Sequence, residues 1–137
     1  MEIREIPHLR DPIMVIAFSG WSDAGEASTG AITHLLAKVC TSEDVSNSPS
    51  LIGEIDSEEF YDFQVNRPLI NIDEAHIRNI TWPGLQIFGV HNSFGDRDYV
   101  LVRGVEPSMR WRTFAQEILD LADDLEVNVV VTLGSML

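Results

Sequence analysis

Ile13-Met14-Val15-Ile16-Ala17-Phe18, followed directly by Ser19-Gly20-Trp21-Ser22-Asp23-Ala24-Gly25-Glu26-Ala27, decides the fold of this chain. Six consecutive apolar residues, rather than an alternating series, predict a strand covered on both faces. The glycine-bearing turn predicts a change of direction, and helical spacing follows it. Ser28, Ala31, Ile32, Leu35, Leu36 and Val39 fall on one stripe. Ser22 or Asp23 is placed to cap that helix by accepting a backbone N–H. In open α/β sheets ligands bind beyond the carboxyl ends of the strands. The turn is therefore a candidate site, with Gly20, Trp21, Ser22 and Asp23 as candidate ligand-binding residues.

Outward from this stretch, residues 3–12 read as a lead-in with Pro7 and Pro12. Residues 41–50 read as a polar loop and residues 51–55 as a second strand. Residues 69–72, 77–82 and 85–90 each predict a short strand, with Trp82-Pro83-Gly84 as the turn between the last two. These form a β-hairpin or meander inserted into an α/β frame. Residues 92–98 predict a further turn, and Tyr99-Val100-Leu101-Val102 another strand. Ser108 is the expected N-cap of a second helix, whose stripe is Trp111, Phe114, Ala115, Ile118, Leu121, Ala122 and Leu125. Residues 127–133 predict a buried, β-branched strand. Strand–helix–strand thus occurs twice, which calls for right-handed crossovers. The expected fold is a single α/β domain over residues 1–137, three layers deep (α/β/α) with a mostly parallel sheet. Gly134-Ser135-Met136-Leu137 reads as the start of another strand-to-helix turn, so the domain is expected to be truncated at its C-terminal end.

Composition narrows the function. Nine Lys and Arg stand against 22 Asp and Glu, a net charge of −13, which argues against nucleic acid and against anionic membranes. No apolar run approaches the ~20 residues of a membrane span. A single cysteine, Cys40, precludes an internal disulfide and suits a cytoplasmic protein. Between Lys38 and Arg67 the chain has no basic residue but carries Glu43, Asp44, Glu54, Asp56, Glu58, Glu59 and Asp62. Such a run is a solvated face or a docking patch for a basic protein surface.

No arrangement of residues picks out a catalytic centre, and the carboxylates are too numerous to single out an acid/base pair. The turn at 20–25 has neither the glycine spacing of a dinucleotide fingerprint nor the lysine of a phosphate-binding loop. Asp23 and Glu26 complement the helix dipole where a phosphate would sit. Arg67, Arg103, Arg110 and Arg112 are four of only nine basic residues, and Arg103 and Arg110 flank a strand-to-helix turn near strand ends. They are expected either to brace loops, with Glu106 and Asp62 as partners, or to hold a ligand's carboxylate or phosphate. His8, His34, His76 and His91 show no metal-ligand spacing, so no metal and no cofactor is expected. Gly-x-Ser-x-Gly is absent, and no catalytic residue is assigned.

Phe18-Ser19-Gly20-Trp21-Ser22-Asp23-Ala24-Gly25, Tyr61-Asp62-Phe63 with Arg67-Pro68, Gly104-Val105-Glu106-Pro107 with Arg110-Trp111, and Val131-Thr132-Leu133-Gly134 occur in that order. As an ordered set they resemble the proteasome assembly chaperone-2 family, in particular its actinobacterial members. The resemblance implies an α/β/α fold like that of purine nucleoside phosphorylases and related hydrolases. It implies a homo-oligomer, a trimer among the expected forms, and a longer protein of which this is the N-terminal part. The family's eukaryotic chaperones bind proteasome α-subunits, partly through a C-terminal tail motif that Gly134 to Leu137 does not provide. Gly20, Trp21, Asp23 and Arg67 match as pattern positions only.

Two functions are therefore expected. The first is a protein-binding, assembly-chaperone-like role. The alternative is a phosphorylase- or hydrolase-type enzyme for nucleoside-like or glycosidic substrates. In that case Trp21 would stack on a base or sugar, Asp23 would handle a proton, and an arginine such as Arg67 or Arg103 would hold phosphate.

Overall fold

The computed structural model describes residues 1–40, 48–74 and 78–137. Most of the polar loop expected at 41–50 lies outside these, as do His76, Ile77 and the side chain of Cys40. The diagnostic run forms β2 (Ile13–Ser19), following a short β1 (Glu2–Ile3) that the lead-in concealed. A 3₁₀ turn (Ala24–Glu26) leads into α1 (Ala27–Cys40). The elements that follow are β3 (Ser50–Glu54), a four-residue α2 (Ser57–Phe60), β4 (Leu69–Ile72), β5 (Arg78–Thr81), β6 (Leu85–Val90), β7 (Tyr99–Val105), α3 (Trp111–Asp124) and β8 (Val129–Leu133).

Six strands make one sheet in the order β1-β3-β6-β7-β2-β8, and β4 and β5 pair separately as a hairpin. β2 sits between β7 and β8 and is parallel to both. The β1–β3, β3–β6 and β6–β7 pairings are antiparallel. The sheet is thus mixed rather than mostly parallel. For the β6–β7 pair the cause is connection length. Only residues 91–98 separate β6 from β7, whereas a parallel pair needs a crossover of roughly a dozen residues or more.

Period-2 alternation splits the core into two layers. Met14, Ile16, Ile87, Val100 and Val102 pack with Phe114, Ile118 and Leu121 of α3. Ala17, Val15, Val90 and Leu101 pack with Ile32 and Leu36 of α1 on the opposite face. The two helices therefore cover the two faces, which is why β2 reads as a continuous apolar run. Phe114 anchors the α3 layer, edge-on to Phe60 at 5.4 Å and 6.0 Å from Phe18.

Several sequence expectations are corrected. The α1 stripe is narrower than its spacing implied, with Ser28, Ile32 and Leu36 buried but Ala31 and Leu35 exposed. On α3, Trp111 and Ala115 are exposed while Phe114, Ile118, Leu121, Ala122 and Leu125 are buried. Ser108 is not the N-cap of α3. Its N–H donates to the Phe60 carbonyl, and Arg110 takes the cap position in the left-handed region, φ 55°. β8 is not buried either, because it is the edge strand. Val129, Val130 and Val131 are 40%, 45% and 39% exposed. Finally, β7 runs through Arg103-Gly104-Val105, where the sequence suggested it had ended. Gly104 permits this, because a Cβ there would lie 2.2 Å from the Gly84 carbonyl oxygen.

Candidate functional site

The sheet order opens a crevice at one place. β2 and β7 are parallel neighbours, but β2 is followed by α1 on one face and β7 by α3 on the other. Connections that part in this way leave a gap beyond the carboxyl ends of the two strands. Gly20, just past β2, and Glu106, just past β7, face each other across it. Gly20 adopts φ +138°, and a Cβ on it would lie 3.2 Å from Glu106 Oε2. Glycine is thus required both by the backbone conformation and by the closeness of the carboxylate.

Hydrogen bonds tie the surrounding loops together. Ser22 Oγ donates to Glu106 Oε1 at 3.2 Å, and the Glu106 N–H donates to the Ser19 carbonyl at 3.4 Å. Asn66 Nδ2 donates to the Glu106 carbonyl at 3.2 Å, and Tyr61 Oη donates to the Val105 carbonyl at 2.8 Å. The segment after β8 joins in: the Ser135 N–H donates to the Ser22 carbonyl at 2.7 Å, and the Ala24 N–H donates to the Ser135 carbonyl at 3.2 Å. Loops from three strand ends thus form one rim. Trp21 stands on it 98% exposed.

Asp23 has a different part from the neighbouring rim residues. Its carboxylate accepts from the N–H groups of Ser28 (2.9 Å) and Thr29 (3.1 Å) and from both their hydroxyls. This makes it the cap of α1, reaching past the 3₁₀ turn, while Ser22 caps nothing and turns to Glu106. Burial pushes the Asp23 carboxyl up, but the hydrogen bonds from Ser28 and Thr29 outweigh it and hold the group below its ordinary value. It stays an ionised acceptor and is poorly suited to shuttling protons. Replacing it, Asp23→Ala, is expected to cost about 2 kcal/mol, a lost cap that leaves the buried Ser28 N–H without its acceptor. Thermal denaturation followed by circular dichroism checks this.

The arginines do not converge on the crevice. Arg103 Nη1 donates to Thr33 Oγ1 of α1 at 2.8 Å, and its guanidinium lies 5.7 Å from the Phe88 ring centroid. Arg110 pairs with Glu59 at 2.7 Å and lies over Phe60. Arg67 is exposed and has no hydrogen-bond or ion-pair partner among the described residues. The partners expected for these arginines are otherwise engaged, Glu106 by Ser22 and Asp62 by the Gln64 N–H. A cleft of about 810 Å³ adjoins the crevice, with Ser19, Thr29, Trp82, Gln86, Arg103 and Gly104 among its walls.

The structure thus gathers Gly20, Ser22, Asp23 and Glu106, presents Trp21 outward, and leaves Arg67, Arg103 and Arg110 at the periphery. Sequence reasoning missed Asn66, and named neither Tyr61 nor Ser135 as a site residue although both fall in stretches it quoted. For Ser135 a signal existed: Gly134-Ser135 follows β8 much as Ser19-Gly20 ends β2.

The profile of the PAC2 family matches residues 17–137, which contain every strand end that builds the rim. The chain belongs to the PAC2 family. A PAC2 family protein from Streptomyces avermitilis is 44% identical, with a TM-score of 0.78, over 93% of this chain and 51% of that one. A proteasome-assembly chaperone homologue from Mycobacterium tuberculosis is also 44% identical, with a TM-score of 0.78, over 90% of this chain and 49% of that one. A Corynebacterium glutamicum protein of unknown function shares the fold at 21% identity, with a TM-score of 0.75 over 95% of this chain and 46% of that one. Among curated proteins none matches. This PAC2 chain spans about half the length of these solved relatives.

Proposed function

We propose that the protein is an assembly-chaperone-like binding protein that engages a proteasome subunit through the rim around Trp21. The exposure of Trp21 carries this reading. An indole that is 98% exposed is held on a loop pinned by Asp23, Glu106 and Ser135. Aromatic residues on ordered loops supply the anchors of protein interfaces. Charge supports the same reading. Asp56, Glu58 and Asp62 flank the rim through α2, whose Phe60 carbonyl accepts from the N–H groups of Ser108 and Met109. Such a surface suits a partner with a basic patch.

The expected experiment is capture of purified actinobacterial proteasome α-subunits on the immobilised chain. Trp21→Ala is expected to weaken capture at least ~10-fold, the loss of one aromatic anchor, with the thermal midpoint unchanged. Equal capture by the variant, or none by the parent, rejects the proposal. The enzyme alternative draws no support from the geometry: Asp23 is occupied as a cap, and Arg103 is bonded to α1.

The proposal includes a cytoplasmic homo-oligomer on a phosphorylase-like three-layer frame. The β4–β5 hairpin supports self-association, because both its strands are exposed throughout. Leu69, Ile70, Ile72 and Ile80 are each more than half exposed. An isolated two-stranded hairpin is marginal in water and gains from being covered. Ile70→Asp with Ile80→Asp is expected to lower the mass found by sedimentation equilibrium to that of one chain; an unchanged mass removes this part of the proposal.

A further inference from the structure

A second pocket, of about 430 Å³, lies at the other end of the sheet, between α1 and the turn of residues 91–98 that precedes β7. Its floor and sides are aliphatic: Val15, Leu35, Val39, Val90 and Leu101. Tyr99 and Phe94 add rings, and Phe94 stands wholly exposed although it has an apolar pocket beside it. Its volume falls within the ~300–1,000 Å³ of small-molecule sites.

The polar side of this pocket is built. The His91 ring lines it, with Nδ1 3.1 Å from Asp98 Oδ2. Asp98 is wholly buried and also accepts from the Arg10 N–H, the Arg10 guanidinium and the Asn92 N–H. A carboxylate so placed keeps the proton on Nδ1 and fixes the ring, as the partners of functional histidines do. His91 Nε2 has no partner among the described residues. Lys38 also lines the pocket, and among the described residues no Asp or Glu does.

We infer that this pocket binds a small carboxylic acid with an apolar body. The body replaces water against the aliphatic walls. The head group shares one proton with His91 Nε2, either as an acid donating to the ring or as a carboxylate accepting from the imidazolium. A ring nitrogen that shares a proton with the head favours an acid over an ammonium group, which has no lone pair to offer.

Three probes with the same body and different heads test this: decanoate, decan-1-ol and decylammonium. Each is titrated below its aggregation threshold into the full chain and followed by backbone amide NMR. Decanoate is expected to saturate, with shifts centred on Leu35, His91, Phe94 and Leu101, and to bind at least ~10-fold more tightly than decylammonium. Leu35→Glu places a carboxylate at an exposed helical position on the pocket wall and is expected to weaken decanoate by a similar factor. Leu35→Met is expected to keep affinity within ~2-fold. Binding of the ammonium as tightly as the acid overturns the inference, as does indifference to Leu35→Glu. Shifts centred on Trp21 instead of His91, or a pocket filled by a second copy so that Leu35→Glu lowers the sedimenting mass, overturn it too.

Discussion

Asp98→Ala is expected to destabilise the protein by about 3 kcal/mol, lowering the thermal midpoint by roughly 10 °C. The carboxylate is fully buried. It gathers Arg10 Nη2 at 2.7 Å, the Arg10 N–H at 2.8 Å, the Asn92 N–H at 2.9 Å and His91 Nδ1 at 3.1 Å. It thereby fastens the N-terminal lead-in to the β6–β7 turn. Removing it strands two backbone donors, while the half-exposed Arg10 guanidinium turns to water, so the loss falls short of the largest buried-pair values. Asp98→Asn keeps the shape and one acceptor, and is expected to cost about half as much.

Acid dependence follows from the same group. Burial pushes the Asp98 carboxyl up, but the hydrogen bonds from Arg10, Asn92 and His91 prevail and hold it well below the ordinary range. A carboxyl with a lowered folded value contributes stability that is present above its unfolded value, ~3.9, and is lost as pH falls through the folded one. The parent is therefore expected to lose stability as pH drops below about 4, and Asp98→Asn to show a shallower loss across the same window. Denaturant midpoints measured between neutral and strongly acidic pH check both.

Gly104→Ala is expected to cost about 3 kcal/mol or more, despite adding one methyl group. The new Cβ would meet the Gly84 carbonyl oxygen at 2.2 Å and Leu85 Cα at 2.6 Å, and backbone yields less readily than a side chain. The carboxyl end of β7 would have to move, carrying Glu106 and the rim with it. Gly30→Ala is the matching control, since a Cβ within α1 at that position meets nothing within 4 Å. It is expected to raise stability by about 0.5–1 kcal/mol. Both follow from thermal and denaturant unfolding of the two variants.

The contrast between these glycines shows what the sequence made legible. Uninterrupted apolar runs at 13–18 and 99–102 announced central strands, because coverage on both faces leaves no polar position. The turn at 20–25 announced the crevice, because Gly20, Trp21 and Asp23 are more than a plain connection needs. Other features depend on neighbours distant in sequence. Gly104 is special only because β6 approaches it, and Asp98 only because Arg10 lies 88 residues away. β8 reads as buried because valine runs usually are, yet its exposure is fixed by its place at the sheet edge. The arginines near strand ends resembled ligand-holding groups, and long side chains satisfied them locally instead, through Glu59 and Thr33.

Hydrogen–deuterium exchange of the chain with and without purified proteasome α-subunits tests the rim as a protein-binding surface most directly. Slowed exchange concentrated in residues 20–26 and 106–111, with the turn at 91–98 unchanged, is the predicted result. Protection confined to other surfaces, or identical exchange in both samples at saturating subunit, would contradict the assignment of this rim.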